Sequence, residues 1–175
     1  MGARYVNLWV VRVIVSSIVI TAIQLSVLSN LRIGGVVIMG IWLWTLVVGL
    51  LGGTPPAMVA GATTGALFDA HVSTPFGLFI AVGLLVGYVA GQLGREGIGD
   101  FKAAAWWMPS AIGLAVGFLA PVVLTIGATL SGNLQFWRGD LGSTMVVNAI
   151  VFAIAIRITA MLGRRLIGDV EGYRW

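Results

Sequence analysis

From Trp9 to Met161 apolar positions run almost without a break, and Gly, Pro and isolated charges cut the run into pieces of helix length. A helix needs roughly 20 mainly apolar residues to cross about 30 Å of hydrocarbon. The pieces predict six spans, over about 9–31, 36–51, 56–70, 75–93, 103–130 and 143–162. Asn30, Arg32, Gly34 and Gly35 stop the first. Gly52, Gly53, Thr54, Pro55 and Pro56 turn the second into the third, with Thr54 suited to the N-cap and Pro55 to the first helical position. The third span is short: the dozen or so residues from Pro56 to Asp69 cover under about 20 Å as helix. Either that helix continues through Asp69 and His71, or the link from Asp69 to Thr74 dips into protein-lined space. Arg95 to Lys102 is the longest polar connection. The fifth span carries Pro109 and Pro121 and is long enough to tilt or kink, and Asn133 to Gly142 forms a polar turn before the sixth.

This pattern predicts an all-α integral membrane protein whose single transmembrane domain fills residues 1–175. Hydrophobic residues at 59% against 9% charged place it far outside the soluble norm. Cysteine is absent, which excludes disulfides, thiolate metal sites, thiol catalysis and lipobox acylation. The run from Val13 to Leu28 is long for a secretory leader and offers no small-x-small cleavage site, so no cleavage is expected. In a membrane protein a formal charge of +4 reads as a topology signal rather than a nucleic-acid footprint, and no nucleic-acid partner is expected.

With an inside N-terminus and six crossings, Arg4, Arg12, Arg95, Lys102, Arg157, Arg164, Arg165 and Arg174 fall on the inner side. Only Arg32 and Arg138 fall outside. The bias predicts a multi-pass protein with both termini cytoplasmic. Dropping the short third span would move Arg95 and Lys102 outside and shrink the bias, so the charge rule supports that span as a true crossing.

Small residues recur at helical spacing: Gly61 and Gly65, then Gly83, Gly87 and Gly91, then Gly113 and Gly117. Glycines one turn apart let backbones touch, and in lipid such packing drives helix association. They fit either a docking groove for a partner's transmembrane helix or tight packing within this bundle. Asp69 and His71 are the acid and the histidine nearest hydrocarbon depth. For Asp69 the readings are a structural cap or an ion pair to Arg32 or Arg138, a partner contact, or proton or ion coupling. The remaining acids, Glu96, Asp100, Asp140, Asp169 and Glu171, lie in loops or the tail, so no metal cluster can be assembled, and no cofactor is expected.

Ser17, Thr21 and Gln24 share a face of the first span, and Thr144 and Asn148 lie one turn apart in the sixth. They suit interhelical hydrogen bonds or the lining of a small polar pocket. Trp9, Trp106, Trp107 and Trp137 fall near interfaces, where indoles anchor helices. Trp42 and Trp44 lie deeper and point to different faces. Catalysis has no support: there is no paired carboxylate in a span, no Ser with a nearby base and no nucleotide-binding glycine loop.

The segment Gly61 to Gly77, GATTGALFDAHVSTPFG, with Leu78 and the glycine-spaced helix ending VGYVAGQLG at Gly94, resembles the bacterial rod shape-determining protein MreD family. The family's G-x-x-x-D stretch and its P-x-G-L helix opening match Gly65 to Asp69 and Pro75 to Leu78. Its Arg-Pro-Asp segment before span two is Arg32, Ile33, Gly34 here, so only Arg32 is carried over. The motifs are specific over about 40 residues, and the rest is likeness of layout. The resemblance implies a fold similar to the S-components of energy-coupling-factor vitamin importers. It also implies a non-enzymatic scaffold of the cell-elongation machinery in the inner membrane. Its expected partners are MreC, through it the elongasome that inserts lateral peptidoglycan, and membrane lipids, with a homo-oligomer left open. The candidate structural or partner-binding residues are Arg32, Gly61, Gly65, Asp69, Pro75, Gly77, Gly83, Gly87 and Gly91. The alternatives are a substrate-binding S-component, which needs a closed external-side pocket with convergent polar groups, and a small transporter or channel subunit, which needs a polar lumen.

Overall fold

The computed structural model describes residues 3–72, 76–94, 105–130, 132 and 141–167. Six α-helices and one two-stranded hairpin make up the described chain: α1 Ala3–Ile23, β1 Arg32–Ile33, β2 Val36–Val37, α2 Gly40–Gly52, α3 Thr54–Asp69, α4 Leu78–Gln92, α5 Met108–Leu130 and α6 Leu141–Ile167. A π-helical turn, Gln24–Leu28, extends α1. The fold is therefore all-α in character. Three segments, Leu8–Leu28, Met108–Leu130 and Leu141–Ile167, are long and apolar enough to cross a membrane, while α2 and α4 are apolar but shorter.

Two antiparallel helix pairs, α3 with α4 and α5 with α6, pack around α2, and α1 lies against α3. Helix α2 is buried on every side from Ile41 to Leu50, as a helix apolar all round must be. Its surroundings form the main core, in which Trp42, Leu46, Phe79, Leu124, Phe152 and Ile156 are almost fully enclosed. A smaller cluster joins Val13, Trp44, Val48, Ala60 and Ile167 where α1, α2, α3 and α6 meet.

Several expectations need correction. The second span does not begin as a helix at Val36. Arg32 pairs with Val37 and Ile33 with Val36 in an antiparallel hairpin. Its two-residue turn is Gly34–Gly35 at φ 60° and 85°, both left-handed as the favoured hairpin turn requires. Helix α2 starts only at Gly40. At 13 residues it rises about 20 Å, and the strand before it ends at Val37.

Thr54 is the first residue of α3 rather than its cap. Gly53 holds the cap position at φ 78° with no side-chain hydrogen bond, and the Thr54 hydroxyl is buried without a partner. The Thr54 backbone lies so close to Gly91 that a Cβ there would meet its Cα at 2.3 Å. Pro109 sits in the first turn of α5, where its missing N–H costs nothing, and only Pro121 is interior. The third span ends as helix at Asp69, with Ala70 and His71 in a turn. Pro75, Arg95, Lys102, Trp137, Arg138, Arg174 and the acids other than Asp69 lie outside the described residues.

Candidate functional site: a carboxylate-capped glycine hairpin

Helix α3 offers small residues at Ala57, Gly61 and Gly65, and α4 offers them at Gly83, Gly87 and Gly91. These rows face each other. A Cβ built on Gly61 would stand 2.1 Å from the Gly83 carbonyl oxygen, and one on Gly83 would stand 2.3 Å from that of Gly61. Gly65 meets the Phe79 carbonyl at 2.5 Å in the same sense, and Gly87 that of Ala57 at 2.5 Å. The two backbones are in direct contact over their whole shared length. Gly83, Gly87 and Gly91 are buried by this chain's own α3, so this ridge is not an open groove for another helix.

At one end of the hairpin Asp69, only 5% exposed, closes the start of α4. Its Oδ2 accepts from the backbone N–H of Gly77 at 3.0 Å and of Ile80 at 3.1 Å, and its Oδ1 accepts from that of Phe79 at 3.1 Å. Those are donors of a helix's first turn, which have no intrahelical acceptor. A carboxylate there satisfies them and lies at the positive end of the helix dipole. Gly77 fits because the cap residue sits at φ 100°, ψ −10°, a left-handed conformation open to glycine. Beneath the cap Phe68 packs on Phe79 with ring centroids 4.6 Å apart, and Trp42 stacks on Phe79 at 6.2 Å.

Asp69 is thus a cap supplied from the neighbouring helix, and among the described residues it has no arginine partner. Arg32 is exposed on β1. His71 is exposed as well, with its Nδ1 2.8 Å from the Leu67 carbonyl. The Asp-His pair therefore does not converge on one point, and among the described residues no group of three or more acids and histidines could hold a metal.

A second polar closure lies where the extended strand enters α2. Gln24, fully buried, donates from Nε2 to the Ile38 carbonyl at 2.8 Å and accepts on Oε1 from the Gly40 N–H at 2.8 Å. From the other side Asn148 of α6 accepts from the Met39 N–H at 2.9 Å and donates to the Thr144 and Val37 carbonyls at 2.9 and 3.4 Å. The two amides form a clamp on the non-helical backbone from Val37 to Gly40. Ser17 accepts from the Trp44 indole at 3.1 Å, and Thr21 bonds the Ser17 carbonyl of its own helix. These polar stripes hold backbone and neighbouring helices together and do not line an open pocket. Sequence reasoning found Gln24 and Asn148 but not their target. The signal was present in Gly34–Gly35, which reads as a hairpin turn once Arg32–Ile33 and Val36–Val37 are taken as strands.

Both halves of the site consist of buried polar side chains spent on backbone groups of this chain, an arrangement suited to fixing a shape. Searches with this sequence and structure find no matching protein-family model, no matching curated protein and no matching solved structure.

Proposed function

We propose that this chain is a non-enzymatic membrane scaffold of the MreD type, spanning the bacterial inner membrane six times with both termini in the cytoplasm. In this reading it binds MreC and supports the elongation machinery that makes lateral peptidoglycan. The observation that carries the reading is the Gly65–Asp69–Gly77 unit. The residues on which the resemblance rests are those that join α3 to α4, through glycine contacts and a carboxylate cap. A motif that builds the fold fits a protein acting by its shape. The deep polar groups Asp69, Gln24 and Asn148 are all engaged with backbone, which supports a scaffold over a transporter with a polar lumen.

Purification from native membranes, with identification of bound proteins and small molecules, tests the function. Recovery of MreC at comparable molar amounts is expected. A bound vitamin without MreC would instead establish the S-component alternative. Cysteines placed at Thr54, at Gly97 and at the C-terminus should resist an impermeant external thiol reagent, and one at Asn133 should react. Labelling of Gly97 from outside contradicts the topology.

A further inference from the structure

A gap in the packing lies between α4 and α5, which follow each other in the chain. It is a groove of about 440 Å³ lined by Val89, Leu93, Trp107, Ala111, Ala115 and Leu119 among others, all of them apolar. From Trp107 to Leu119 it runs along about 18 Å of α5.

A cation stands close to one end of the groove. The helix pair α5–α6 is in antiparallel register, since a Cβ on Gly113 would meet the Phe152 carbonyl at 2.8 Å and one on Gly117 that of Asn148 at 2.6 Å. Carried back to the start of α5, the same register sets Met108 beside Arg157. Arg157 is exposed, and its guanidinium carbon lies 5.9 Å from the centroid of the Trp106 ring. Trp106 adjoins Trp107 at the groove mouth, and both indoles are exposed, 78% and 55%. Indoles with a cation at the end of an apolar span mark the headgroup level of a bilayer, where each Arg attracts anionic lipid.

We infer that the α4–α5 groove is a binding site for one anionic phospholipid. An acyl chain lies against Ala111 and Ala115, and the headgroup phosphate pairs with Arg157 beside Trp106. The inference rests on the chain being membrane-embedded and is independent of whether MreC binds.

The test uses the full chain in bilayer discs of phosphatidylglycerol and phosphatidylethanolamine with matched acyl chains, with retained lipid counted by native mass spectrometry. Wild type should favour phosphatidylglycerol. Arg157→Gln should lower that preference about fivefold, the effect of one interfacial arginine, while total retained lipid stays constant, and Arg157→Lys should keep it. Ala115→Phe fills the groove from an exposed position and should reduce retention of both lipids with an unchanged melting temperature. An undiminished preference in Arg157→Gln, or undiminished retention in a folded Ala115→Phe, overturns the site. Should Ala115→Phe fail to fold, Ala111→Phe on the adjacent turn poses the same question.

Discussion

The short helices and the long ones solve the same problem differently. Helices α1, α5 and α6, at 21, 23 and 27 residues, are long enough for their ends to reach the polar edge of a bilayer, where water or headgroups satisfy the terminal N–H and C=O groups. Helices α2, α3 and α4 have 13, 16 and 15 residues. Their ends fall short, and a backbone group left unpaired at that depth costs several kcal/mol in hydrocarbon, roughly the penalty of the unmade hydrogen bond. Gln24 and Asn148 close the entry to α2, and Asp69 closes the start of α4. The short helices α2 and α4 thus start on polar side chains supplied by their neighbours.

The largest effect should come from the helix contact on which this arrangement depends. Gly61→Leu drives a side chain into the Gly83 backbone, which cannot yield without separating α3 from α4, and should cost about 3 kcal/mol or more. Gly83→Leu and Gly87→Leu should lose folded yield and MreC recovery together. Gly163→Ala is the control: its new methyl meets only side-chain ends, Val47 Cγ1 at 3.0 Å and Leu51 Cδ1 at 3.1 Å, and should cost under about 1 kcal/mol. Comparable losses at Gly61 and Gly163, read by thermal unfolding in detergent, would break the distinction.

Next come the closures. Asp69→Leu strands the N–H groups of Gly77, Phe79 and Ile80 at the start of α4 and should cost about 2–3 kcal/mol. Asp69→Asn should be milder, because one amide oxygen still accepts. Asn148→Leu leaves the Met39 N–H buried and unpaired and should cost about 1–3 kcal/mol. Equivalent polar deletions on the long helices, such as Thr125→Val or Thr159→Val, remove only a hydroxyl bonded within its own helix and should stay within about 0.5 kcal/mol.

The smallest effect concerns Arg32. Exposed on β1, while the Asp69 oxygens are taken by backbone N–H groups, it should contribute within about 0.5 kcal/mol, and Arg32→Ala should be additive with Asp69→Asn. Non-additivity beyond that margin in a double-mutant cycle would restore the ion pair that the carboxylate geometry argues against.

Much of this contrast was legible in the sequence, unevenly. The long apolar runs announced α1, α5 and α6 because burial and length act in the same direction there. The shortness of span three was legible from the distance between Pro56 and Asp69, and Asp69 read as a cap among other roles. The glycine rows at Gly61, Gly83 and Gly87 were visible, but which surface they faced was not, since an internal and an external helix contact ask for the same residues. Least legible was the non-helical stretch from Val36 to Met39. Its Val-Val-Ile-Met sequence fits helix and strand equally well, and its conformation depends on Gln24 and Asn148, 14 and 109 residues away along the chain. Thr54 misled because a Thr before two prolines is a good cap locally, whereas the close approach of Gly91 shifts the helix start by one residue.

The central claim is that a neighbour's side chain closes the start of the short helices α2 and α4, and amide hydrogen exchange at the start of α4 tests it most directly. In bilayer discs the N–H groups of Gly77, Phe79 and Ile80 should exchange slowly in wild type. In Asp69→Ala those three should speed up by about tenfold or more, as loss of roughly 1.4 kcal/mol of local protection requires, with the amides of α5 and α6 unchanged. Unaltered exchange at Phe79 and Ile80 in that variant would contradict the account.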